Sequence, residues 1–256
     1  MKHFAILGYP LGHTQSPQLH QRLASQRGWE IQYDICQIPP EEFDREIGKL
    51  FLLDGFNVTI PYKVRIIDLL DELDQSARNH GAVNVVKMLP DGRKIGYNTD
   101  CIGFVRTMQE HDVPLKGRVC VLGAGGVGRM FATECALRGC EVVMAVKEKN
   151  IPQTQEIAGH IRALQPQAQV EVQNIAALQG SFALMINATP CGMYPKMDAS
   201  PVDPAILKKV ETVFDCIYNP EETLLLRQAK QAGCKTVGGM EMLIYQAQAA
   251  QDIWAE

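Results

Sequence analysis

Short apolar runs alternate with longer amphipathic stretches along the whole chain, the pattern of an α/β protein with largely parallel sheets. Residues 4–7 form a continuous apolar run that ends in Gly8-Tyr9-Pro10-Leu11-Gly12, which predicts a buried strand opening into a loop. Ser16-Pro17 reads as a helix start, with the serine as N-cap and the proline at the first helical position; Leu19, Leu23 and Ala24 supply the apolar stripe. A strand over 31–38, a helix over 41–50 and a strand over 55–60 follow. In that last strand Phe56, Val58 and Ile60 alternate with Asn57 and Thr59, so burial on one face is expected. Helical patterns over 64–70 and 74–79 precede a strand-like segment at 82–88, and Pro90-Asp91-Gly92 turns the chain back toward 94–97 in a hairpin.

A helix over 102–111 leads into Val113-Pro114-Leu115-Lys116-Gly117, which reads as a linker, and beyond it the pattern changes character. A strand over 118–122 runs directly into Gly123-Ala124-Gly125-Gly126-Val127-Gly128, then a helix, then a strand over 141–146, which together make one βαβ unit. Strands at 170–172, 183–187 and 212–215 extend the sheet. The closing helix over 239–255 carries Met242, Leu243, Ala247 and Ala250 on one stripe and is long enough to return to the first domain. The expected organisation is an N-terminal α/β domain of residues 1–103 completed by 238–256, and a Rossmann-type dinucleotide-binding domain of residues 104–237.

The bulk numbers narrow the classes of partner. The 256 residues are 46% hydrophobic and 21% charged with a net charge of −4, and no basic run occurs, so neither nucleic acid nor an anionic membrane is an expected partner. Eight cysteines show no C-x-x-C and no Cys/His cluster at ligand spacing, so no metal is expected. Several, such as Cys36 and Cys120, lie in apolar strand patterns and read as buried thiols, which fits a reducing compartment. The N-terminal apolar run is too short for a signal peptide and no stretch approaches membrane-spanning length. The expectation is a soluble cytoplasmic protein acting on a small molecule, with a homodimer left open.

Candidate chemistry lies in two places. In the glycine run, Gly123 makes a tight turn, Gly125 lets the backbone approach a pyrophosphate, and Gly128 lets helix and strand pack closely. The phosphates then rest on a helix N-terminus formed by Ala124, Gly126 and Val127. The second strand of this unit ends Val146-Lys147-Glu148 with no carboxylate at the strand end, and Lys147 suits a 2′-phosphate. That favours NADP; Glu148 opposes the phosphate and keeps NAD as an alternative. In the first domain, strand 55–60 ends in polar groups and then Pro61 and Lys63, and a lysine at a strand's carboxyl end can exchange a proton with a ligand. Asn98-Thr99-Asp100 ahead of a helix, Asn84, Thr14 and Ser16 each have a plain reading as caps or turns. Their order ahead of one dinucleotide domain argues for a shared site.

The chain resembles the shikimate dehydrogenase family, which includes quinate/shikimate dehydrogenases, almost end to end. The resemblance rests on Gly8-x-Pro10-x-x-His13-Thr14-x-Ser16-Pro17, Asn57-Val58-Thr59-x-Pro61-x-Lys63, Gly81-Ala82-x-Asn84 and Gly96-x-Asn98-Thr99-Asp100-x-x-Gly103. It continues through Gly123-Ala124-Gly125-Gly126, Asn187-Ala188-Thr189-x-x-Gly192, Asp215-x-x-Tyr218-x-Pro220-x-x-Thr223 and Met242-Leu243-x-x-Gln246-Ala247. It implies reversible NADP-linked reduction of 3-dehydroshikimate to shikimate in aromatic amino acid biosynthesis, with 1–103 and 238–256 as the substrate-binding catalytic domain. It implies that Lys63 and Asp100 are the catalytic pair and also bind substrate, that Thr14 and Ser16 hold the substrate carboxylate, and that Thr59, Asn84, Asp100, Tyr218 and Gln246 meet its hydroxyls and ring. Gly239 and the turn containing Thr189 then flank the nicotinamide and ribose. Three departures stand out: Thr14 for the usual serine, Lys147-Glu148 for the usual Arg-Thr, and Pro190 for a serine. A dehydrogenase acting with NAD on quinate or another cyclic hydroxy acid, and a non-catalytic dinucleotide-binding relative, are the alternatives.

Overall fold

The computed structural model describes residues 1–12 and 14–256, so His13 of the first motif lies outside the described residues. Among the described residues, twelve strands pair into two six-stranded sheets. They are β1 (Lys2–Gly8), β2 (Ile31–Gln37), β3 (Gly55–Val58), β4 (Glu72–Leu73), β5 (Val85–Met88), β6 (Lys94–Tyr97), β7 (Arg118–Leu122), β8 (Glu141–Val146), β9 (Val170–Asn174), β10 (Phe182–Asn187), β11 (Val210–Asp215) and β12 (Lys235–Val237). The chain divides into two compact units, Met1–Gly103 with Ile244–Glu256, and Phe104–Leu243. The breaks fall inside helix Thr99–Glu110 and helix Met240–Ala255.

The first unit holds the sheet ordered β2-β1-β3-β5-β6-β4. It is mixed rather than largely parallel: β1 runs parallel to β2 and β3, while β5 is antiparallel to β3 and β6. The hairpin β5–β6 is the one expected from Pro90-Asp91-Gly92, and Gly92 takes the left-handed φ of +89° that the turn needs. The strand expected to bury one face, β3, buries both. Gly55, Phe56, Asn57 and Val58 are all buried, and Ile60, expected inside, is 69% exposed beyond the strand's end. The reason is packing on both sides of the sheet: Phe56 and Val58 face Phe43, Ile47 and Tyr62, while Ile6 and Val85, in register with Asn57, carry Ala250 and Trp254 of the last helix. Asn57 is accommodated because Tyr33 Oη donates to its Oδ1 at 2.6 Å and its Nδ2 donates to the Asn84 carbonyl at 3.3 Å.

Two local expectations are corrected. The segment read as a helix over 41–50 is one α-turn, Phe43–Glu46, followed by a 3₁₀ segment, Ile47–Leu52, with Gly48 at the point of change. Helix Ser16–Gln26 starts at Ser16, so Ser16 is its first residue and not its N-cap; the residue before it is Gln15, without a side-chain cap bond. Trp254, on the last helix, stacks on Phe4 with ring centroids 4.3 Å apart and donates from its indole nitrogen to the Val86 carbonyl. That fastens Ile244–Glu256 to the first sheet.

The second unit holds an all-parallel sheet ordered β12-β11-β10-β7-β8-β9. Counted from its own first strand, this is the doubly wound order of dinucleotide-binding folds, with the reversal between β7 and β10. Its strands are near-continuously buried, as helices on both faces require: Val119 to Leu122 and Leu184 to Asn187 have essentially no exposed surface. Among the described residues, no helix is long and apolar enough to cross a membrane.

Candidate functional site

In the first unit the sheet topology brings together residues that the sequence scatters. β1 and β3 are parallel neighbours, so the segments after Gly8 and after Val58 leave the same edge; the Tyr9 amide donates to the Ile60 carbonyl at 3.1 Å. β5 enters at that edge because it is antiparallel to β3, which places Asn84 there, and β6 ends there, which places Asn98, Thr99 and Asp100. Backbone bonds close the edge: the Val58 amide donates to the Asn84 carbonyl at 2.8 Å, and the Asn84 amide to the Tyr97 carbonyl at 3.0 Å.

Lys63 and Asp100 meet in this arrangement. Lys63 Nζ donates to Asp100 Oδ2 at 2.6 Å, with the two side chains 24% and 18% exposed. The other carboxylate oxygen accepts from Asn84 Nδ2 at 2.9 Å. Asn84 is held in turn: its Oδ1 accepts the Thr99 amide at 2.7 Å, and its Nδ2 also reaches Thr99 Oγ1 at 3.0 Å. Asn98 Oδ1 accepts the Asp100 amide at 3.1 Å, so the cap role belongs to Asn98 and the Asp100 carboxylate is free for Lys63. Thr99 Oγ1 lies 3.4 Å from Gln246 Oε1, which joins Gln246 to the same group. Thr99 was not among the expected site residues; a threonine inside a cap motif carries no separate signal, and only its complete burial reveals it as the joint.

Thr14 and Ser16 bond to each other. Thr14 Oγ1 lies 3.2 Å from Ser16 Oγ and accepts the Ser16 amide at 3.3 Å. They stand at the N-terminus of an eleven-residue helix, whose dipole favours an anion. Thr59 directly follows β3, half-buried, and its methyl packs on Gly8, where an added Cβ would come within 2.5 Å. An ammonium held by a carboxylate, two hydroxyls at a helix start, and amides at one sheet edge can hold a polyhydroxylated acid and supply a proton to an oxygen on it.

The second unit holds the remaining expected residues. Gly123 takes φ +96°, a left-handed turn that favours glycine, and a Cβ on Gly128 would sit 2.3 Å from the Gly123 carbonyl oxygen. Above Gly125 and Gly126 there is open space, with nothing within 4 Å of an added Cβ. Helix Gly126–Leu137 begins there, its N-cap the side-chain-free Gly125, and Ala124 and Val127 border it half-buried. Lys147 is exposed one residue beyond β8, beside exposed Glu148. Tyr218 and Gly239 also belong to this unit; Gly239 is packed so closely that a Cβ would lie 2.3 Å from the Cys216 carbonyl oxygen.

Thr189 is engaged internally. Asn187 Oδ1 accepts both its amide, at 3.0 Å, and its hydroxyl, at 2.7 Å, and the Thr189 oxygen accepts the Cys191 amide at 3.2 Å. Its side chain therefore presents mainly a methyl to any ligand. Asn187 Nδ2 donates to Asp215 Oδ1 at 3.0 Å, a carboxylate at the end of β11 that sequence reasoning left within the motif without a role. Asp215 is fully buried, and burial raises its pKa to about 6 against the lowering effect of bonds from Thr223, Ile217 and Asn187.

Comparison with known proteins finds relatives over nearly the whole chain. Residues 6–86 match the family model described as the shikimate dehydrogenase substrate binding domain. The chain is 37% identical over 258 residues to the NADP(+) shikimate dehydrogenase of Shouchella clausii (strain KSM-K16), covering 99% of this chain and 92% of that one. A crystal structure of a shikimate dehydrogenase in complex with NADP+ superposes with a TM-score of 0.89 at 34% identity, covering 99% of this chain and 90% of that one. That of the Thermus thermophilus enzyme in complex with NADP(H) and shikimate gives 0.88 at 30% identity, covering 99% and 93%. A likeness of this extent, over nearly the whole chain, places the chain in the shikimate dehydrogenase family.

Proposed function

We propose that this chain reduces 3-dehydroshikimate to shikimate, reversibly and with NADP, in aromatic amino acid biosynthesis. The observation that carries the reading is the Lys63–Asp100 pair, locked by Asn84 at the sheet edge that also holds Gln246 and is bordered by Thr59. The second unit fits a dinucleotide: the turn at Gly123, the close helix approach at Gly128 and the open space over Gly125 and Gly126 form a cradle that side chains would fill. The bound cofactor supplies the hydride that reaches the ketone carbon.

Lys63 stabilises the negative charge that develops on the ketone oxygen and gives that oxygen its proton. Asp100 orients Lys63 Nζ, and Asn84 fixes Asp100 so that the ammonium is presented in one direction. Thr14 and Ser16 hold the substrate carboxylate at the N-terminus of helix Ser16–Gln26. Thr59, Asn84, Gln246 and Tyr218 meet the hydroxyls and ring, and analogues lacking a hydroxyl leave such groups unpaired. Lys147 pairs with the 2′-phosphate of the cofactor, and Gly239 and the turn at Thr189 border its ribose and nicotinamide. The cytoplasm is the proposed location, since all eight cysteines are free thiols.

A second reading, oxidation of quinate with NAD, draws support from Glu148 beside Lys147 and from the methyl of Thr14. Initial rates over shikimate and quinate, each with NADP and NAD, decide between them. The proposal expects the highest kcat/KM for shikimate with NADP. Efficiency with NAD equal to or above that with NADP at near-physiological salt overturns the cofactor assignment, and no turnover in any combination overturns the activity.

A further inference from the structure

Asp215 takes no part in the chemistry above, yet it is a fully buried carboxylate at the carboxyl end of a central strand, where dinucleotides bind in such sheets. All three groups bonded to it are neutral donors. Asn187 Nδ2 and the Ile217 amide share Oδ1 at 3.0 and 3.1 Å, and Thr223 Oγ1 donates to Oδ2 at 2.7 Å. These donors come from the end of β10 and from the segment that follows β11. The backbone adds to the knot, with the Cys216 amide donating to the Asn187 carbonyl at 3.2 Å and the Gly239 amide to the Ile217 carbonyl at 3.3 Å.

The Asn187 amide passes this order to the cofactor loop. Its nitrogen side is held by Asp215, which forces its oxygen toward Thr189, whose amide and hydroxyl it accepts. Thr189 and Ala188 in turn bear on the glycine loop: an added Cβ at Gly123 would lie 2.9 Å from Thr189 Cγ2, and one at Gly128 would lie 3.3 Å from Ala188 Cβ. An acceptor-only partner at 215 is what this orientation needs. A carboxylate offers no donor, so Asn187 can meet it only through its NH₂.

We propose that Asp215 is a positioning residue for the dinucleotide site, setting the orientation of Asn187 and through it the wall that Ala188 and Thr189 build against Gly123 and Gly128. This rests on the reading of the second unit as the NADP site. Burial that disfavours the charged form is the cost of the arrangement; a leucine at 215 is relieved of it, keeps a similar branched shape and removes the acceptor that holds Asn187.

The test is a double-mutant cycle on NADPH affinity, measured by fluorescence titration without substrate, for the wild type, Asp215→Leu, Asn187→Ala and the double variant. Each single change weakens NADPH by about tenfold and the double variant is no weaker than either single one, because both act through one link. In steady state the KM for NADP rises while the KM for shikimate stays within about twofold, a split that general loosening of the fold does not produce. Unchanged NADPH affinity in Asp215→Leu, effects that multiply in the double variant, or parallel rises in both KM values overturn the proposal. Should Asp215→Leu fail to fold, unchanged affinity in Asn187→Ala overturns it equally, and weakened affinity there supports it. If the wild type itself binds no NADPH, it is the reading of the site that fails.

Discussion

Replacing Lys63 by methionine keeps the stem of the side chain and removes only the ammonium, so it isolates the proposed proton donor. Two magnitudes follow from the structure. On catalysis, loss of a positioned general acid costs about 10²–10⁴ in kcat, which is about 3–5 kcal/mol of barrier. On stability, the Lys63–Asp100 pair is neither solvated nor sealed, at 24% and 18% exposure, so it falls between surface pairs and buried ones. Asp100 keeps Asn84 Nδ2 on its other oxygen and sits in the first turn of helix Thr99–Glu110, where the dipole favours a negative charge. The stability cost is therefore expected near about 1 kcal/mol, a fall of about 2–4 °C in thermal midpoint. The assay is kcat with shikimate and NADP both saturating, beside the thermal midpoint and the NADPH dissociation constant. Turnover falls by orders of magnitude while the midpoint moves little and NADPH affinity holds. Near-wild-type kcat in Lys63→Met refutes the role of Lys63.

Two glycines of the cofactor loop separate packing from binding. Gly125→Ala meets nothing within 4 Å, so the thermal midpoint holds while NADPH affinity falls, because the new methyl occupies the phosphate approach. Gly128→Ala puts a methyl 2.3 Å from the Gly123 carbonyl oxygen and loses both, with a stability cost of about 1–3 kcal/mol; calorimetry and NADPH titration read the pair. Lys147→Ala lowers kcat/KM with NADP by about tenfold or more and leaves that with NAD within about twofold, since one phosphate contact is removed; equal losses refute the pairing. His20, stacked on Tyr33 and buried, has its pKa lowered to about 3 by desolvation, so it stays neutral in the fold while the unfolded chain protonates below about 6.5. Stability is lost as pH falls through that window, by about 1.4 kcal/mol per unit. Asp215, raised to about 6, acts in the opposite sense, with its cost relieved as pH falls through that value. Thermal midpoints of the wild type and His20→Phe at pH 7, 6 and 5 isolate the histidine term, and the variant shows the weaker loss on acidification.

The sequence by itself determined the features that local chemistry imposes. The hydrophobic period placed β1, β7, β8, β10 and β11 close to their observed bounds, because strands buried on both faces leave an apolar run in any context. The glycine loop was legible because a left-handed turn at Gly123 and the contact at Gly128 admit no side chain. Lys63, Asp100 and Asn84 stood out only as members of ordered motifs, since a lysine after a strand and an aspartate at a helix start have ordinary readings. Tertiary structure decided what depends on neighbours distant along the chain. Asn57 looked like the solvent side of a strand and is buried, because Ala250 and Trp254 of the last helix pack on the face it shares with Ile6 and Val85, and Tyr33 satisfies its oxygen. Short strands such as β4 and β12 are too brief to show a period and exist only by pairing. Thr189 was expected only as part of a turn beside the cofactor, and Asp215 only as the last residue of a strand. Both roles changed once parallel pairing of β10 with β11 set Asn187 beside Asp215, because hydrogen-bond partners far apart in sequence are chosen by sheet register and not by spacing.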